Sequence, residues 1–133
     1  MKRLLLAAAL AAGAIAAMPA AHADFTEDEI EYAVVDTCHD AVKIKLKDPD
    51  SAKFSGWKAW IIKHIGKPLS VKNFHPENGD RPYGAAGMTN AKNSFGGYEG
   101  AQVWGCDAYV GTDDVVHANA YSLQDLIDEQ PDS

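Results

Sequence analysis

The spacing of polar and apolar residues changes several times along the chain, and each change marks an element. Ile30, Ala33, Val34, Thr37, Cys38, Ala41 and Ile44 recur at three- and four-residue steps, the period of one helix face. The start of this helix is fully specified. Thr26 and Glu29 form a capping box, and Phe25 and Ile30 form a hydrophobic staple across it. Glu27, Asp28, Glu29 and Glu31 sit at the positive end of the helix dipole, and Lys43, Lys45 and Lys47 at the negative end. Pro49 cannot continue the helix and holds Asp48 out of helical geometry. The pattern predicts a helix over 26–47 with Cys38 on its core face.

Beyond Pro49, Ser51 to Phe54 lead into a strand-like region. Trp57 to Ile65 is rich in aromatic and β-branched residues, which favour strand. It does not alternate cleanly, so it is either buried on both faces or partly irregular, and Trp57, Trp60, Ile61, Ile62 and Ile65 read as core. Pro68, Asn73, Pro76, Asn78, Gly79, Pro82 and Gly84 fall between Gly66 and Gly87. That density of turn formers predicts a long loop over 66–87, of a length that is often functional. Met88 to Lys92 reads as a short strand and Asn93 to Gly97 as a turn. Tyr98 to Val110 reads as a strand, with Trp104, Cys106, Ala108 and Val110 on one face and Val103, Asp107 and Tyr109 on the other. Gly111 to Asp114 is a hairpin turn, and Val115 to Tyr121 is the returning strand. Two burial assignments stay open for that strand, Val116, Ala118 and Ala120 or Val115, His117 and Tyr121, because a one-residue slip exchanges its faces. Ser122 and Asp125 form a second capping box, opening a short helix from Leu123 to about Glu129. The expected fold is α+β: a long N-terminal helix packed on an antiparallel sheet of three or four strands, with a short C-terminal helix.

The N-terminus adds a destination. Lys2 and Arg3, the apolar run Leu4 to Ala17, Pro19 and the small-residue step Ala21-His22-Ala23 follow the order of a secretory signal. The run is shorter than the roughly 20 residues that span a bilayer. Residues 1–23 are therefore expected to be removed, leaving a single domain, 24–133, secreted to the periplasm or the medium with no stable membrane insertion. Cys38 and Cys106 are the only cysteines. In an exported domain an even count points to a disulfide, here closing about 69 residues and contributing about 4 kcal/mol in the chain-entropy model. The chain carries 12 Lys and Arg against 19 Asp and Glu, a net charge of −7, which disfavours nucleic acid as a partner. Its 47% hydrophobic content argues against disorder.

Two stretches, Leu46-Lys47-Asp48-Pro49-Asp50-Ser51-Ala52-Lys53-Phe54 and Thr89-Asn90-Ala91-Lys92-Asn93-Ser94-Phe95-Gly96-Gly97-Tyr98, resemble a signature of small exported bacterial proteins of unknown function. Some of these are phage- or prophage-associated. The signature reads LKDPxSAxF, a spacer, then VNxKNSFGGY and a strand. The resemblance implies an exported protein with a phage or host-envelope setting, and it makes residues 55–86 look like an insertion. Many relatives carry Cys-Gly where this chain has Ala86-Gly87, so any role of that thiol is absent here or falls to Cys106.

Asn90, Lys92, Asn93 and Ser94 can serve a sharp turn through their side chains or offer amide, ammonium and hydroxyl groups to a ligand, with Phe95 and Tyr98 supplying apolar contact. These six are the candidate binding residues, and an envelope or extracellular protein is the expected partner. The spacing of His39, His64, His75 and His117 supports no metal site, no phosphate or dinucleotide loop is present, and no cofactor is called for. The leading reading is a non-enzymatic binding domain. The alternatives are a small secreted hydrolase with His117 or His64 as general base beside a carboxylate, and a self-associating structural protein.

Overall fold

The computed structural model describes residues 14–17, 25–66 and 68–128. Its long helix, α1, spans Glu27–Ile44, and the predicted capping box is present: Glu29 N–H donates to Thr26 Oγ1 (3.2 Å), and Thr26 N–H to Glu29 Oε1 (3.1 Å). The helix stops three residues short of expectation. Lys45 N–H and Leu46 N–H bond back to Val42 and Lys43 carbonyls, so the last turn tightens before Pro49. Ile44 consequently leaves the apolar stripe and is 56% exposed, while Val42 is buried. Pro49–Ser51 forms a single 3₁₀ turn.

The sheet contains β2 (Lys53–Ile61), β3 (Arg81–Asn90), β4 (Gln102–Val110) and β5 (Val115–Ser122), all antiparallel neighbours in that order. A short strand, β1 (Ala14–Ala17), lies antiparallel on the free edge of β5, Ala14 opposite Ala118 and Ala17 opposite Val115. These four residues belong to the segment expected to be removed, and the cleavage expected after Ala23 lies outside the described residues. The second helix, α2 (Leu123–Asp128), opens on the predicted Ser122–Asp125 capping box.

One face of the sheet receives α1. Cross-strand partners share a face, and Ala85, Cys106 and Ala120 form one row across it, with Ala108 and Ala118 in the next. These small residues let the helix lie close to the strands. Ile30, Ala33, Val34, Cys38, Ala41 and Val42 fill the space between. Cys38 and Cys106 are disulfide-bonded with Cα atoms 6.0 Å apart. At the other end of α1, Tyr83 is buried and its hydroxyl donates to both oxygens of Glu27 (3.0 and 3.2 Å). The open question on β5 is settled: Val116, Ala118 and Ala120 are buried.

Two expectations are corrected. Residues 81–87 are not loop but the first part of β3, in the middle of the sheet, so the irregular segment is only 62–80. Gly84 and Gly87 are seats for aromatic rings rather than turn signals. A Cβ at Gly87 would fall 2.3 Å from Trp57, and one at Gly84 would fall 2.8 Å from Trp60. Residues 55–86 supply most of β2 and β3 and so belong to the sheet. Nor is β2 a core strand. Between Ser55 and Lys58 its register against β3 shifts by one residue, at Gly56 with φ 66°, a bulge that erases the alternation. Of its aromatics Trp57 packs on the core, whereas Trp60 is 48% exposed, and Ile61 and Ile65 are exposed too. Ala86 faces away from α1, opposite Gly105, and Cys106 is bonded to Cys38.

Because Trp57 occupies the space over Gly87, Gly87→Ala overpacks that seat and should cost about 2 kcal/mol. Gly66→Ala, where an added Cβ meets nothing within 4 Å, should stay within about 0.5 kcal/mol of the parent. Denaturant unfolding followed by circular dichroism compares the two, and equal midpoints would show that the tryptophan is not held there.

Candidate functional site

The two motifs, far apart in sequence, form one structure. Ser51 joins them. Its hydroxyl donates to Asp48 O (2.7 Å) and accepts from Lys92 N–H (2.8 Å), while its carbonyl accepts from the Tyr98 hydroxyl (3.1 Å). Lys53 pairs with Asn90 and Phe54 with Thr89 in the β2–β3 ladder. The Lys53 ammonium lies 4.4 Å from the Tyr98 ring centroid and that of Lys92 5.6 Å, both within cation–π range.

Between β3 and β4 the chain makes a loop over 91–101 whose asparagines are scaffold. Asn93 Oδ1 accepts from Phe95 N–H (2.9 Å) and Gly97 N–H (3.2 Å), and Asn93 N–H donates to Gly97 O (2.8 Å). Asn90 Oδ1 accepts from Gly100 N–H (3.1 Å). Gly96 and Gly100 hold φ of 81° and 97°, where side chains other than glycine are strained. Ser94 is exposed, and Phe95 at the tip is 97% exposed. Of the six candidate binding residues, then, Asn90 and Asn93 hold the loop through their carbonyl oxygens. Lys92 and Tyr98 tie it to the first motif, and Ser94 and Phe95 are presented to solvent.

Behind the loop lies a cavity of about 190 Å³. Lys45, Leu46 and Lys47 enter it from the end of α1, and Thr89, Lys92 and Asn93 from the end of β3. Glu99, Gln102 and Trp104 close it from the start of β4. The Lys45 ammonium also donates to Ala120 O. Sequence reasoning named Lys92 and Asn93 here and missed the other residues. The usable signal was the pairing of the two motifs, which places the lysines after α1 beside the β3–β4 loop.

The histidines occupy different surroundings. His39 is wedged between α1 and β2, stacked on Phe54 (3.9 Å between centroids) and edge-on to Trp57 (5.0 Å). Its Nε2 is buried without a hydrogen-bond partner among the described residues. Burial, with Lys43 adding repulsion, pushes its pKa down to about 4. His117 stacks on Tyr109 on the other face of the sheet, where the 62–80 loop crosses over. There Asp107 accepts from Ser70 N–H (2.9 Å) and from the Tyr121 hydroxyl (3.4 Å). Desolvation lowers the pKa of His117, against the opposing charges of Asp113 and Asp80. The Tyr121 hydroxyl is pushed up to about 12 by burial and by Asp107. The one histidine–carboxylate hydrogen bond among the described residues is His75–Glu77 (3.2 Å), on the exposed loop. His64 is exposed. Among the described residues no three His, Cys, Asp or Glu side chains are grouped to hold a metal ion.

Compared with family models, with curated proteins and with solved structures, the chain finds no match.

The unfolded chain protonates His39 near pH 6.5, whereas the folded chain does so only near pH 4. Its contribution to stability is therefore complete above pH 6.5, declines as pH falls, and stops declining near pH 4. Discounted for a half-buried ring, the loss at pH 5 is about 1 kcal/mol. His39→Phe keeps the stack and removes the proton, so the difference in unfolding free energy between pH 7 and pH 5 should shrink by that amount. An unchanged pH dependence would show that the imidazole titrates normally.

Proposed function

We propose that the protein is an exported, non-enzymatic binding domain whose partner meets the 91–101 loop. The carrying observation is Phe95. A nearly fully exposed aromatic sits at the tip of a loop that the side-chain oxygens of Asn90 and Asn93 hold in place. Tyr98 and Val103, each more than two-fifths exposed, stand at the same end of the β3–β4 hairpin, so the aromatic is not an isolated apolar residue of the kind every surface carries. Exposed aromatics on rigid loops are the usual anchors of protein interfaces.

The setting follows from chemistry. A buried disulfide belongs to an oxidising compartment, and no helix among the described residues is long and apolar enough to cross a membrane. The N-terminal leader supports export to the periplasm or the medium. The resemblance of the two motifs adds the host envelope, or a phage acting on it, as the place of action.

A photo-crosslinking residue at position 95, in the oxidised exported protein, tests this in an envelope extract. The same group at Tyr32, 67% exposed on α1, serves as control. A discrete adduct from position 95 and none from position 32 is expected, and it should disappear when unlabelled protein competes but persist when the competitor is Phe95→Ser. Equal labelling from the two positions, or none from either, would return the loop to scaffold.

A further inference from the structure

We propose that the cavity between the two motifs is an oxyanion site that takes a carboxylate or a phosphate borne by a small group. This rests on reading the two-motif end of the molecule as its ligand-facing end.

Charge is the first argument. The chain as a whole is acidic at −7, yet three lysines and one carboxylate, Glu99, line this cavity. The C-terminal end of α1 accounts for some of the positive charge, since its dipole is negative there. Lys43 stands in that last turn, and Lys45 is engaged with Ala120 O. Lys47 and Lys92 remain. They come from different motifs, and neither forms an ion pair among the described residues.

Thr89 is the second and independent argument. It is 2% exposed and lines the cavity, and its Oγ1 is buried with no hydrogen-bond partner among the described residues. An unsatisfied buried hydroxyl is destabilising, and valine would fill the same volume without that cost. A hydroxyl is useful here if something in the cavity accepts from it. The amide N–H₂ of Asn93 is a further donor, because its Oδ1 is already taken within the loop, and Gln102 adds another amide. Ammonium, hydroxyl and amide donors together, with a single carboxylate among them, recognise an oxyanion.

Size limits the rest. At about 190 Å³ the cavity is smaller than the roughly 300–1,000 Å³ of sites that bury a whole drug-sized ligand. It holds an anchor group of amino-acid or phosphate size, while the remainder of the ligand runs outward beside the loop.

The test uses the oxidised, exported full chain at low salt and neutral pH, with amide chemical shifts as readout. The probes are N-acetylglycine, inorganic phosphate and the neutral N-acetylglycinamide. Saturable shifts at Thr89, Lys92, Asn93 and Gly100 with either anion, and none with the amide, are expected. Whichever anion binds names the source. Lys92→Gln and Thr89→Val should each weaken binding about fivefold, the share of one hydrogen bond, and Thr89→Ser should restore it. Thr89→Val should unfold no earlier than the parent, which separates lost binding from lost fold. No saturable shift with either anion, or shifts indifferent to both substitutions, would overturn the proposal. If position 95 crosslinks a partner while no anion binds, this inference alone falls. If anions bind while position 95 labels nothing, the cavity stands and the loop reading falls.

Discussion

The Cys38–Cys106 bond fixes the relation on which the rest of the structure depends. It joins the middle of α1 to the middle of β4, with both residues essentially unexposed. A helix lying on a sheet can slide and rotate at small cost, because apolar contact is not directional. One covalent link near the centre removes most of that freedom. Capture of Glu27 by the Tyr83 hydroxyl then sets the direction of the helix from its first turn. With both points fixed, α1 must end beside the β3–β4 loop, and the LKDPDSAKF motif must enter β2 against Asn90 and Thr89. The cavity at that end is a consequence of where the helix is pinned.

The two faces of the sheet solve different problems. The helix face is buried, and small strand residues line its centre. The opposite face carries Asp107, Tyr109, His117, Asn119 and Tyr121, and the 62–80 segment lies across it, tied by Ser70 and Lys72 to Asp107, Asn119 and Tyr109. Glycine serves both faces in one way. A missing Cβ at Gly87 seats Trp57, at Gly84 Trp60, and at Gly105 the Tyr121 ring, 2.5 Å from where that Cβ would be. Aromatic rings thus lie against backbone, and the sheet gains apolar cover where it has few large aliphatic residues.

That use of glycine explains what the sequence concealed. Capping boxes and a long 3.6-residue period made α1 legible, and clean alternation around a short turn made β4 and β5 legible. Gly84 and Gly87 carry their meaning only with Trp60 and Trp57 opposite, so read locally they signal a loop where the structure has a central strand. The Gly56 bulge removed the alternation that would have marked β2. At the site, the residue types were legible but their division of labour was not. Asn90 and Asn93 were recognisable as turn-stabilising or ligand-binding, and only the partners of their oxygens reveal the turn role. Lys45, Lys47 and Thr89 look unremarkable along the chain, since a lysine after a helix and a threonine in a strand have ordinary explanations. Their convergence on one cavity is a long-range fact, created by the ladder between Phe54 and Thr89.

The order of the 91–101 segment bears on what it is for. Fixing a residue's backbone costs about 1–2 kcal/mol in entropy, and a connection between adjacent antiparallel strands can be made with two residues. This chain instead holds a longer loop, using two asparagine side chains, two left-handed glycines and the stitch through Ser51 to a second motif. None of these bonds adds to the core beneath α1. They leave Phe95 projecting from a fixed base. A flexible loop would lose that freedom on meeting a partner, and the loss would subtract from affinity. Here the ordering is met during folding by interactions within the loop, and its exposed surface is ready for contact. A connection that served only to join β3 to β4 would gain nothing from such an arrangement, whereas the proposed recognition surface would gain both affinity and selectivity.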